Sequence, residues 1–124
     1  MRIFKTKAFH RWTSKEKLAD DALCIAVDEI VNGLIDANLG GHVLKKRVAL
    51  AGRGKRGGVR TIVAYQWDEK TFFMYGFAKG ERANISQTEL KALKLLASEL
   101  LSYNDQQIVA ILNEGELIEV ETDG

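Results

Sequence analysis

The sequence predicts an α+β fold in which helices cover one face of a small, mostly antiparallel sheet. Three observations carry that prediction. Residues 42–50 (HVLKKRVAL), 59–67 (VRTIVAYQW) and 71–78 (TFFMYGFA) are rich in β-branched and aromatic residues and are separated by turn chemistry. Leu23, Val27, Ile30 and Leu34 recur at steps of four, three and four, the spacing of one helix face. Ser86 and Glu89, ahead of Leu90, Leu93, Ala97 and Leu100, form a capping-box start to a further amphipathic helix.

The elements follow in order. RIFKT, residues 2–6, is a short β-like start, and a short helix follows in which Phe9 and Trp12, three apart, face the same way. Asp20 and Asp21 open the second helix, where carboxylates suit the positive end of the helix dipole. DANLGG breaks that pattern before the three consecutive strands, the last two joined tightly through DEK at 68–70. After the capping-box helix, Asn104 with Gln107 opens a shorter one carrying Ile108, Ile111 and Leu112, and Gly115 ends it. ELIEVE then closes the chain as a small strand or an acidic tail. The expected architecture is β-α-α-β-β-β-α with a short C-terminal extension: two N-terminal helices and a C-terminal helix on a four-stranded sheet whose other face is free for solvent or a partner.

At 124 residues the chain is read as one domain over 1–124, with an ordinary 46% hydrophobic and 28% charged content. It has no apolar run near the ~20 residues of a membrane helix and no secretory leader, so a cytoplasmic protein is expected. A lone Cys24 excludes an intrachain disulfide, and with only His10 and His42 beside it there is no zinc-ligand spacing; no metal or cofactor is expected. The net charge of +1 conceals a segregation. Residues 1–41 balance at six Lys/Arg against six Asp/Glu, residues 42–82 carry ten against three (+7), and residues 83–124 two against eight (−6). The middle third is a candidate polyanion-binding surface.

Within it, GRGKRGGVR at 52–60 packs four cations among four glycines. Glycine explains the turn, because it reaches positive φ without steric cost. It does not explain the charge. The stretch lacks the G-x-x-x-x-G-K-[ST] order of a phosphate loop and leads into a strand, not a helix N-terminus, so nucleotide binding is set aside. What remains is a dense donor set: Lys45, Lys46 and Arg47 before the loop, Arg53, Lys55 and Arg56 in it, Arg60 after it, and Lys79 and Arg82 after the next strand. Alternation sends Lys45 and Arg47 to one face and Lys46 to the other. Strands paired in sequence order would bring Arg60 and Lys79 to the same end of the sheet, where converging cations suit a nucleic-acid backbone.

GRGKRGGVRTIVAY, followed by FFMYGFAKGERANIS and a leucine-rich helix, resembles the RelE/HigB group of bacterial type II toxins, in particular a HigB-like branch with a G-[KR]-G-K-R-G-G-x-R loop. The resemblance runs from about residue 3 to about residue 120. It implies a metal-independent ribonuclease that enters the ribosomal A site and cuts mRNA. It also implies neutralisation by a cognate antitoxin, commonly a helix-turn-helix protein through which operator DNA is reached. Matched residue by residue, it implies catalytic roles for Arg60 and Lys79, with Arg82 a further candidate. It implies RNA-backbone contacts for Arg53, Lys55 and Arg56, and Lys45, Lys46 and Arg47 join them as RNA-binding candidates from the charge pattern. The chain departs from the group in having no evident C-terminal tyrosine or histidine for acid–base work, and Tyr103 is assigned no role.

Bland readings stand beside these. Tyr65, Phe73 and Phe77 read as core by alternation, leaving Tyr75 as the aromatic candidate for stacking on a base. His10 and His42 read as surface histidines and Cys24 as a small buried residue of the second helix, not a nucleophile. Glu114, Glu116, Glu119 and Glu121 make a solubilising tail, or they fold near the basic cleft and weaken its attraction for RNA or shape the antitoxin's contact surface. Two other functions remain open: a growth inhibitor acting on DNA gyrase, as in the ParE branch of the same fold, and a non-catalytic basic binding module.

Overall fold

A computed structural model describes residues 1–50 and 54–122, with backbone alone at 54–57. The elements are β1 (Arg2–Thr6), α1 (Lys7–Glu16), α2 (Asp20–Val31), β2 (Ala37–Gly40), β3 (Val43–Leu50), β4 (Gly54–Gln66), β5 (Lys70–Ala78), α3 (Gln87–Ser102), α4 (Asp105–Asn113) and β6 (Leu117–Val120). The fold is α+β, with four helices and a six-stranded mixed sheet in the order β2-β3-β4-β5-β1-β6. β1 lies parallel to β5, with Ile3 opposite Thr71, and every other pairing is antiparallel.

The local signals explain most boundaries. Thr6 caps α1 by accepting from the Phe9 amide at 3.2 Å, and Lys17 ends that helix in the left-handed region at φ 57°. Both capping boxes form: Ser86 with Glu89 at α3, and Asn104 with Gln107 at α4. Gly115, at φ +77°, takes the turn after α4 that a side chain resists. Leu34 does not continue α2, which ends at Val31, and it is exposed.

Two expectations about the sheet are corrected. It has six strands, not four, because DANLGG contributes the edge strand β2 and the C-terminal extension pairs with β1 as β6. Neither of its faces is free. On one side α1 and α2 lay Phe9, Leu23, Val27 and Ile30 over Ile3, Val48, Val59, Val63 and Phe73. On the other, α3 and α4 lay Ala97, Leu100 and Ile108 over Phe4, Val43, Ile62, Ala64, Phe72 and Met74. The physical reason is the nearly unbroken apolar runs of β4 and β5: a strand that alternates can face water on one side, whereas TIVA and TFFM need cover on both.

The glycine-rich stretch is also strand where a loop was expected. From Gly54 to Arg60 the chain belongs to β4, and its register against β3 jumps from Val48↔Val59 to Leu50↔Gly54, so β4 spends five residue steps where β3 spends two. That bulge presses the Gly58 backbone onto β3, where a Cβ would sit 2.2 Å from the Val48 carbonyl oxygen. Gly76 meets a second close approach, because a Cβ there would stand 2.3 Å from Cζ3 of Trp12. Gly76→Ala is therefore expected to lower stability by about 1–3 kcal/mol through overpacking. Urea denaturation measures this, and adding Trp12→Leu should recover part of the loss by making room.

Candidate nucleic-acid interface

The two faces of β3 separate its three cations. Val43, Lys45 and Arg47 share the α3 side, and Leu44, Lys46 and Val48 the α2 side. Lys46 is buried there, its Nζ 3.0 Å from Glu29 and donating to the Leu34 carbonyl at 2.8 Å. A second buried lysine, Lys5, donates to Asp20 at 2.8 Å. Both ammonium groups tie helix α2 to the sheet. Lys46 is thus set apart from Lys45 and Arg47, and its charge faces the protein interior.

On the α3 side the register places Arg47 directly opposite Arg60. Like charges so paired repel, and the counter-charge comes from Asp36, in the connection between α2 and β2. Its Oδ2 lies 3.6 Å from Arg47 Nε and 3.8 Å from Arg60 Nε. The carboxylate is held by two further bonds, the Asp36 amide donating to the Lys45 carbonyl at 3.0 Å and the Arg47 amide donating to Asp36 Oδ1 at 3.3 Å. Neither guanidinium contact is short enough to be a hydrogen bond. Arg60 is 8% exposed, and its Nη1, like Arg47 Nε, finds no hydrogen-bond partner among the described residues. Leaving such donors unmet costs about 1–3 kcal/mol each, a cost that an incoming acceptor oxygen would remove.

Lys79 is exposed and follows Ala78, which pairs with Val59, so Arg60 and Lys79 do lie at the same end of the sheet. Arg82 is less available. Its guanidinium forms a two-bond pair with Glu89, Nη1 donating to Oε2 at 2.8 Å and Nη2 to Oε1, while Nε donates to the Asn84 carbonyl at 2.9 Å. Nη1 also reaches the Tyr75 hydroxyl at 3.3 Å, and the guanidinium carbon stands 5.7 Å from the Phe77 ring centre. The half-buried Tyr75 is thereby enlisted in holding Arg82. Arg53 lies outside the described residues, as do the side chains of Lys55 and Arg56, whose backbone is part of β4.

Glu119 lies away from these cations. β6 pairs with β1, and Glu119 sits opposite Phe4, which in turn sits opposite Phe72, while Arg60 and Lys79 lie toward Phe77 and Ala78 at the other end of β5. Glu119 instead holds Arg2 through bonds of 2.9 and 3.0 Å, which lower its pKa. Tyr65 has its hydroxyl buried on the α1–α2 side with no hydrogen-bond partner among the described residues, and burial raises its pKa. Tyr103 donates to Glu99 at 2.7 Å, and its pKa is raised by that bond. Among the described residues no three His, Cys, Asp or Glu are grouped so as to hold a metal ion, and no helix is long and apolar enough to cross a membrane.

Glu89 is a strongly shifted acid. The Arg82 hydrogen bond, and then the Ser86 amide, hold its carboxyl at about 2. Because the folded value lies below the unfolded one of about 4.3, the contribution of this pair is complete above pH ~5 and is lost as pH falls through about 2. A carbon-13 NMR titration should find Glu89 still ionised at pH ~3. In Arg82→Ala its midpoint should return most of the way to the ordinary value, the Ser86 amide retaining the remainder.

The family model described as "RelE toxin of RelE / RelB toxin-antitoxin system" matches residues 1–120 of the chain. No curated protein matches it.

Proposed function

The chain belongs to the RelE toxin family of toxin-antitoxin systems, and from that membership we propose that it is a ribosome-dependent mRNA endoribonuclease of the HigB-like branch. The proposal extends to a cytoplasmic site of action, to A-site mRNA as substrate, and to a helix-turn-helix antitoxin that neutralises the enzyme and carries it to operator DNA. The observation that carries the reading is Arg60: a guanidinium almost wholly buried in a strand, opposite a second arginine, with an Nη donor that no described residue meets.

In RNA cleavage the 2′-hydroxyl gives its proton to water as its oxygen attacks the adjacent 3′-phosphorus, the bond to the 5′-oxygen breaks and that oxygen takes up a proton, and a 2′,3′-cyclic phosphate and a 5′-hydroxyl result. Negative charge gathers on the non-bridging oxygens in between. Donors already fixed in a water-poor setting stabilise that charge without reorganising, and Arg60 is held in this way by strand register and burial. Lys79, exposed at the same end, is assigned to the second oxygen or to the proton that the leaving 5′-oxygen must gain. Arg82, locked to Glu89, is assigned to shaping the wall of the cleft together with Tyr75. Lys45 and Arg47, with Arg53, Lys55 and Arg56, would hold the phosphate backbone and add to the salt dependence of binding. The ribosome would supply much of the alignment.

Arg60→Ala is expected to lower cleavage by about 10²-fold or more, as does loss of one transition-state donor. Primer extension on an abundant message, with and without its start codon, measures this after induced expression. Cuts that require both translation and Arg60 support the reading. Toxicity with DNA-damage filamentation and no cuts would replace it with gyrase inhibition, and no toxicity would leave a binding module.

A further inference from the structure

The pairing of Arg47 with Arg60 places two positive charges face to face, and Asp36 supplies one negative charge between them. Among the described residues no other carboxylate lies within ion-pair distance of either guanidinium. We propose that Asp36 is a resident counter-ion that holds this arginine pair open for one phosphodiester and limits how tightly it is gripped. That the anion is an RNA phosphate rests on the ribonuclease reading; the role of Asp36 toward the pair does not.

Three features carry the assignment. First, the carboxylate is not a loose surface group: its backbone amide is bonded to the Lys45 carbonyl, and its Oδ1 to the Arg47 amide. It therefore stays with β3 when an anion arrives. Second, its remaining oxygen sits 3.6 and 3.8 Å from the two Nε atoms, near enough for charge attraction and too far for a hydrogen bond to either. Among the described residues Arg47 Nε and Arg60 Nη1 have no hydrogen-bond partner, and an anion with more lone pairs can meet them. Third, two guanidiniums and one carboxylate leave a net charge of +1, which matches the single charge of a phosphodiester. Without Asp36 the same pair would hold +2 and grip both substrate and product more strongly, and uniform gripping does not speed the chemical step. Asp36 is on this account a positioning residue, acting on the reaction through the two arginines.

The test uses the full chain, inorganic phosphate as probe, and the side-chain Nε–H signals of Arg47 and Arg60 in nitrogen-15 NMR. In the wild type, phosphate should shift both signals with one shared dissociation constant. If neither signal moves, the proposal is overturned without any variant being needed. Asp36→Asn keeps the shape and removes the charge, and should bind phosphate about tenfold more tightly, the scale of one partly screened charge a few ångströms away. Its melting temperature should also rise more steeply with added phosphate. Unchanged or weaker phosphate affinity in folded Asp36→Asn would show a purely structural carboxylate. If that variant does not fold, Asp36→Glu, which keeps the charge, should hold phosphate as the wild type does, and tighter binding there would overturn the proposal. Absence of mRNA cleavage alongside a tenfold tighter Asp36→Asn would sink the ribonuclease reading alone. Arg60-dependent cleavage with no change in phosphate affinity would sink the counter-ion alone.

Discussion

Burial of the sheet on both faces is the constraint from which the rest of the molecule follows. From Val59 to Ala64 every residue of β4 is buried, and the one charged side chain in that run is Arg60. A strand so enclosed cannot present a flat basic surface. A cation in such a sheet must be neutralised beneath the cover, as Lys46 of β3 is by Glu29, be held there incompletely paired, as Arg60 is, or follow the end of a strand, as Lys79 does. The location of the candidate site is thus a consequence of the cover on both faces, and the Arg82–Glu89 pair at the start of α3 ties that cover to the segment after β5.

Elements with strong local signals were legible in the sequence. The two capping boxes name their own hydrogen bonds, and Phe9 and Trp12 do meet, with ring centres 5.4 Å apart. Elements made by partners were not legible. β2 is four residues containing Asn and Gly, with no β preference of its own; it exists because Ala37 and Asn38 find Lys45 and Leu44 across a turn. β6 follows a helix and carries Glu119 between Glu116 and Glu121 that flank it, and only the open edge of β1 makes it a strand. The two-sided cover was written in the apolar runs of β4 and β5, but a short apolar run does not say how many layers enclose it.

The site divides in the same way. Alternation correctly separated Lys46 from Lys45 and Arg47, and pairing in sequence order correctly brought Arg60 and Lys79 to one end. The motif itself was misread in shape: GKRGGVR is a bulged strand, and Gly58 is glycine because the Val48 carbonyl leaves no room for a Cβ, not because a loop must turn there. Asp36 had no signal at all. It belongs to the electrically balanced first third of the chain, and its relevance depends on β2, which brings it beside Lys45 and Arg47. A charge count along the sequence finds the cations but cannot find the one anion that conditions them.

A fold does not by itself fix an activity, so what this chain can bind is decided by its side chains. Burying Arg60 with an unmet donor destabilises the folded chain by about 1–3 kcal/mol, and a sequence selected for stability alone would place Leu or Val there, as at the neighbouring Ile62. The same cost, incurred on folding, means that the guanidinium need not be desolvated or oriented when charge develops on a phosphate oxygen. An exposed arginine gives up that advantage, because water must be removed and rotamers fixed during binding. Arg82 shows the contrast within one site: its hydrogen bonds are already spent on Glu89, Asn84 and Tyr75. Of the two arginines, Arg60 is the one that an incoming anion would find with a donor unmet among the described residues.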